Sequence, residues 1–171
     1  MSTRTLEFNP EKTKIEWTLG AVLHTVHGTF KLKRGSIDFD TDTGKASGQV
    51  VVDVASGYTG NQELDQKMHA TVLESRKYPE AFFVPDRILG PLTLAGSSSI
   101  QIHGIFTIHG AAHEITVSVQ AKATADQLTG KLVFDIPYVA WGMKDPSNFL
   151  LKVAKTVRVS IETAGAVEKR Y

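Results

Sequence analysis

Cysteine is absent from the 171 residues, which excludes disulfides, iron–sulfur clusters, thiolate zinc sites and thiol nucleophiles. Charge of one sign is missing too. Nineteen basic residues face eighteen acidic ones, so the formal net charge of +1 supplies no bulk field to recruit nucleic acid or an anionic membrane. Long apolar runs do not occur. A secretory leader needs about 7–15 uninterrupted apolar residues, and the opening MSTRTLEFNP offers only Leu6 and Phe8. No stretch approaches the ~18 apolar residues that would span a bilayer as a helix. The reading is a soluble protein, cytoplasmic as the chain stands and periplasmic if a leader once preceded it. The length suits one domain, residues 1–171, large enough to bury a substantial core.

Catalytic signatures are equally scarce. His113-Glu114 begins like a zinc-binding His-Glu-x-x-His helix, but position 117 is Val and the segment alternates like a strand. No nucleophile elbow, P-loop or dinucleotide-binding glycine motif occurs. Glu63 and Asp65 lie two residues apart, a spacing that turns them to different sides of a helix. Of six histidines, His103 and His109 share the polar parity of their strand, and the five outside the helix fall on loops or polar faces, as ordinary surface histidines do. The expectation is a protein without catalysis, cofactor or metal.

What is present is alternation with period two. Ile15, Trp17 and Leu19 alternate with Lys14, Glu16 and Thr18, and Val26, Gly28, Phe30 and Leu32 alternate with polar neighbours. Further runs follow at Ile37/Phe39, Val50/Val52/Val54, Phe82–Val84, Ile100–Ile108, Ile115/Val117/Val119, Leu132/Phe134/Ile136 and Val157/Val159/Ile161. Gly35-Ser36, Gly110-Ala111-Ala112 and Asp126 to Gly130 read as connectors, and Leu89–Ser99 as the longest loop. Eight or nine strands at hairpin spacing describe an all-β antiparallel sandwich or barrel. One helix is expected over 60–73, where Leu64 and Met68 recur at i,i+4 with Val72 a turn further, Thr59 and Gln62 resemble a capping box, and Tyr78-Pro79 stops the run.

Aromatic residues decorate the apolar parity, namely Trp17, Phe30, Phe39, Phe82, Phe106 and Phe134, with Trp141 and Phe149 as further candidates. They would serve a filled core or a hollow one, since eight-stranded barrels stand at the size where either is feasible. Gly28 and Gly104, central in their strands, remove side chains where a ligand or another backbone comes close, or mark a bulge or corner.

The order of motifs resembles the YceI-like family over about residues 8–163. The resemblance is carried by His24-Thr25-Val26-His27-Gly28-Thr29-Phe30, Gly35-Ser36-Ile37-Asp38-Phe39-Asp40, Val50 to Ser56, Thr59-Gly60-Asn61, Leu64 to Met68, Lys77-Tyr78-Pro79-Glu80-Ala81-Phe82-Phe83, Gly104-Ile105-Phe106-Thr107-Ile108-His109-Gly110, and Phe134-Asp135-Ile136 through Trp141-Gly142-Met143. It implies a lipocalin-like extended eight-stranded antiparallel β-barrel that binds a polyisoprenoid lipid and does no chemistry. An apolar tunnel is then expected from Trp17, Val26, Phe30, Val52, Leu64, Met68, Phe82, Phe106 and Phe134, their shared inward parity being the reason. Asn61, Gln62 and Asp65 beside the helix are the head-group candidates. Two alternatives stand beside this reading. One is a small-molecule enzyme working inside the barrel, the other a filled barrel serving as an interaction module or homodimer subunit.

Overall fold

The computed structural model describes residues 3–124, 126–148 and 151–169. Within them lie nine strands: β1 (Thr3–Phe8), β2 (Lys14–Gly20), β3 (Thr25–Asp40), β4 (Ala46–Tyr58), β5 (Glu80–Leu89), β6 (Gly96–Ile108), β7 (Ala111–Thr124), β8 (Gln127–Ile136) and β9 (Val157–Lys169). All pairings are antiparallel, and β3 through β9 follow one another around a ring. The gap between β9 and β3 is filled twice. β2 pairs with the first part of β3 and of β9, and β1 pairs with the last part of both. A short 3₁₀ turn, Pro10–Lys12, separates them, so β1 and β2 act as one interrupted stave of an eight-stave closed barrel. Closure leaves no edge strand unpaired around the ring.

The alternation in the sequence becomes the two faces of the wall. Along β7, Val117, Val119, Ala121 and Ala123 are buried while Thr116, Ser118, Gln120 and Lys122 are exposed. β3 is longer than its sequence suggested. Arg34-Gly35-Ser36 is no break, because the strand runs through it with a bulge between Leu32 and Arg34. The extra residue flips the parity, so Val26, Phe30 and Leu32 face inward before the bulge and Ile37 and Phe39 after it. Gly130 likewise lies inside β8 rather than in a connector, opposite Ala121 and Thr163. The β6–β7 connection is tighter than expected, with its two positive-φ residues at His109 (54°) and Gly110 (73°), the signature of a two-residue hairpin turn.

The helix, α1 (Gln62–Lys67), continues through a π-helical turn at Met68–Val72 and lies across one end of the barrel. Its N-cap is Asn61, whose side chain accepts from the Leu64 amide at 3.1 Å. Thr59 is therefore not the cap. Its amide and hydroxyl both donate to Asp65 Oδ1, at 2.9 and 2.7 Å, which ties the first turn back to the end of β4. At the other end of the helix, His69 Nε2 donates to the Gly57 carbonyl at 2.8 Å, leaving Nδ1 to accept from Ser75 at 2.9 Å. Glu74, at φ 48°, reaches His109 Nε2 at 2.5 Å and clamps the helix to the β6–β7 turn. Among the described residues no helix is long and apolar enough to cross a membrane.

Candidate functional site

The wall encloses an open interior. The inner cavity offers about 220 Å³ to the centres of water-sized molecules, and each stave contributes inward-facing apolar side chains to it. β4 supplies Val50, Val52 and Val54; β6 supplies Ile100, Ile102, Phe106 and Ile108; β8 supplies Leu128, Leu132, Phe134 and Ile136. Thr13 and Thr163 are the polar side chains on that wall, and they hydrogen-bond each other at 2.7 Å. A pair that satisfies itself leaves the surface as dry as its neighbours.

A second cavity of about 150 Å³ sits under α1. Leu64, Met68, Val72 and Leu73 roof it, Trp17, Leu19 and Val26 form one side, and Tyr138, Met143, Pro146, Leu151 and Val153 the other. Five residues, Phe30, Leu73, Ile108, Ile136 and Val159, line both spaces, so the two cavities adjoin across one apolar waist. Along β3 the lining extends from Val26 to Phe39. Thirteen residue-to-residue steps at about 3.3 Å each span ~43 Å of strand, or about 30 Å along the axis at ordinary barrel tilt.

At the helical end, polar groups border the outer cavity. Thr59 and Lys67 border the outer cavity, and the Lys67 ammonium donates to the Pro146 carbonyl at 2.7 Å, bridging helix and loop. Tyr138 donates to the Ala154 carbonyl at 2.7 Å. Burial, helped by nearby Asp145, pushes its phenol up to about 12, so it remains a neutral donor. Trp17 is buried with its indole Nε1 unpartnered. Its ring lies over Gly28, where a Cβ would stand 2.2 Å from the indole carbons. Gly28 therefore makes room for Trp17, and Gly104 for the Val84 carbonyl and the Phe83 ring.

Eight of the nine residues expected along a tunnel, Trp17, Val26, Phe30, Val52, Leu64, Met68, Phe106 and Phe134, line one cavity or both. Phe82 does not. It pairs with Thr107 on the outward parity, and its neighbour Phe83, opposite Phe106, takes the inward place. Two adjacent phenylalanines carry no alternation of their own, so the sequence left that register ambiguous. The head-group candidates Asn61, Gln62 and Asp65 line neither cavity, because Asn61 caps the helix and Asp65 is held by Thr59. Lys67, which does border the cavity, reads in the sequence as one more solvated helix charge. Phe149 lies outside the described residues. His113 is no simple surface histidine. Its ring stacks on Trp141 at 3.9 Å, and its Nε2 is buried.

With that geometry established, comparison identifies the relatives. A family profile described as YceI-like domain matches residues 6–164. The chain belongs to the YceI-like family. No curated protein matches it. Solved structures share its fold at low identity. BcnA of Burkholderia cenocepacia is 21% identical, with 92% of this chain and 98% of that one covered at a TM-score of 0.75. A polyisoprenoid binding domain from Saccharophagus degradans, implicated in plant cell wall breakdown, is 16% identical, with 95% and 98% covered at 0.74. A YCEI protein of Campylobacter jejuni is 20% identical, with 85% and 86% covered at 0.68.

Proposed function

We propose that this YceI-like protein holds a long, branched, apolar lipid of the polyisoprenoid class inside the barrel, as a carrier or store and without catalysis. The observation that carries the reading is the pair of adjoining cavities, whose shared waist lets one chain thread both. A polyisoprenoid tail is flexible and hydrocarbon throughout, and each methylene-sized group moved from water to such a wall contributes about 0.8 kcal/mol before ordering losses. The tail lies in the inner cavity. Its polar end stays under α1, where Lys67, Thr59 and the unpartnered Trp17 indole offer donors. The family and the polyisoprenoid-binding relative lend support.

The non-catalytic part rests on the walls themselves. Among the described residues lining the cavities, the titratable groups are Lys67 and Tyr138, each already donating to a backbone carbonyl. Neither stands beside a second titratable wall residue to form an acid–base pair. Native mass spectrometry of the purified protein is the test. A lipid-sized mass increment, removed by organic extraction and restored by added polyprenol with a rise in melting temperature, is expected. An unadducted mass together with no melting response to polyprenol would refute the proposal.

A further inference from the structure

At the helical end the β2–β3 loop projects two aliphatic side chains into solvent, with Val22 72% and Leu23 87% exposed. Large aliphatic residues at a loop tip are normally withdrawn or flanked by polar groups, and two in succession form an apolar point. The loop is not loose. The Val22 amide donates to the Lys152 carbonyl at 3.2 Å, Ala21 bridges Val153, and the Ala154 amide donates to the Gly20 carbonyl at 2.8 Å. The tip is thus laced to the segment between β8 and β9. That segment carries exposed Lys144, Lys152 and Lys155 against a single acid, Asp145, while Ala21–His24 carries no acid at all. The same segment supplies Leu151 and Val153 to the outer cavity. Apolar point, local positive charge and cavity therefore coincide, although the chain as a whole is nearly neutral.

We propose that this end docks on an anionic phospholipid bilayer, Val22 and Leu23 entering the acyl boundary while Lys144, Lys152 and Lys155 face the head groups. Docked so, the outer cavity faces the membrane from which a lipid tail would be drawn; that consequence rests on the lipid-holding reading, whereas docking itself does not. The acidic residues of this end that belong to α1, Glu63 and Asp65, lie outside the two loops that form the contact.

The test is cosedimentation of the full chain with phosphatidylcholine vesicles, with and without about 30% phosphatidylglycerol. Wild type should sediment with the anionic vesicles and be released by high salt. Val22→Ser/Leu23→Ser should weaken partitioning by about tenfold or more, and Lys152→Gln/Lys155→Gln by roughly fivefold per charge. Val133→Ser, altering a side chain 57% exposed on the barrel wall, should change nothing. No sedimentation of wild type, as a tip built for another protein would give, or equal sedimentation of wild type and the Val22/Leu23 variant, overturns the proposal. Polyprenol-induced melting shifts, measured without vesicles, separate the two readings. A variant that keeps the shift but no longer sediments has lost docking alone, and a wild type that sediments without the shift leaves docking standing while the lipid-holding reading falls.

Discussion

Gly130 offers a direct measurement of whether the barrel is hollow. It sits mid-strand in β8, lines the inner cavity, and has an ordinary negative φ. A Cβ added there would meet Val119 Cγ1 at 3.4 Å and Thr163 Cγ2 at 3.7 Å, both ordinary contacts, with open space beyond. Replacing a strand-interior glycine by alanine removes an entropic penalty of about 0.5–1 kcal/mol, and burying the new methyl adds about 0.8 kcal/mol. Gly130→Ala should thus stabilise the lipid-free protein by roughly 1.5 kcal/mol. For a chain of this size that raises Tm by about 3–6 °C. Scanning calorimetry of extracted protein is the assay. In a filled interior the same methyl would overpack the wall and cost about 1–3 kcal/mol. An unchanged or lowered Tm would therefore refute the argument. The sign decides it.

Gly28→Ala runs the opposite way. With the Trp17 carbons 2.2 Å from the new Cβ, the indole must shift, so a loss of about 1–3 kcal/mol and a change in tryptophan fluorescence are expected, and an unaltered spectrum would contradict the packing. Met68→Asp puts a carboxylate in the roof of the outer cavity, where burying it beside hydrocarbon is costly; the polyprenol-induced rise in Tm should appear in wild type and vanish in the variant, and equal shifts would remove the helix from the binding wall. His103 accepts the third test. Hydrogen bonds from its ring to Asp86 (2.6 Å) and, secondarily, Glu114 (2.7 Å) raise its pKa above 6.5, so the stability it contributes is present below the unfolded value and lost as pH rises through the folded one. His103→Gln should flatten that part of a denaturation series run from about pH 5.5 to about pH 9, and an identical slope would contradict the assignment.

The sequence revealed the wall more plainly than the ends. A stave with a dry face and a wet face must alternate, and β7 and β8 do so residue by residue, which made the all-β barrel readable. Alternation fails where the chain bulges. At Arg34-Gly35-Ser36 three small or polar residues looked like a turn, yet the bulge preserves pairing and merely swaps the inward parity. Gly130 misled for a related reason, since a strand glycine beside an open interior has the composition of a loop without being one. The helix was legible because Leu64 and Met68 recur at one turn. Its cap was not, since Thr59 and Asn61 both suit the role and only the fold commits Thr59 to Asp65. Lys67, Tyr138, Met143, Pro146, Leu151 and Val153 join the site through tertiary contacts that have no period to detect.

Hollowness carries an energetic consequence that joins stability to function. The buried residues of this barrel form a shell, and three apolar clusters surround a space that none of them fills. Wall atoms facing an empty cavity forgo the dispersion partners that a packed core supplies, while the closed ladder and the contacts between neighbouring staves hold the shell together. Any apolar molecule that fits supplies those missing partners without rearranging the wall. Ligand at a hundredfold excess over its Kd adds about 2.7 kcal/mol. A tail contacting staves all around the ring therefore stabilises the barrel as a whole, whereas a ligand confined to the outer cavity would chiefly stabilise α1 and the segment before β9. Hydrogen exchange can tell these cases apart, since only occupation of the inner cavity would slow the amides of β7 and β8 far from the helix.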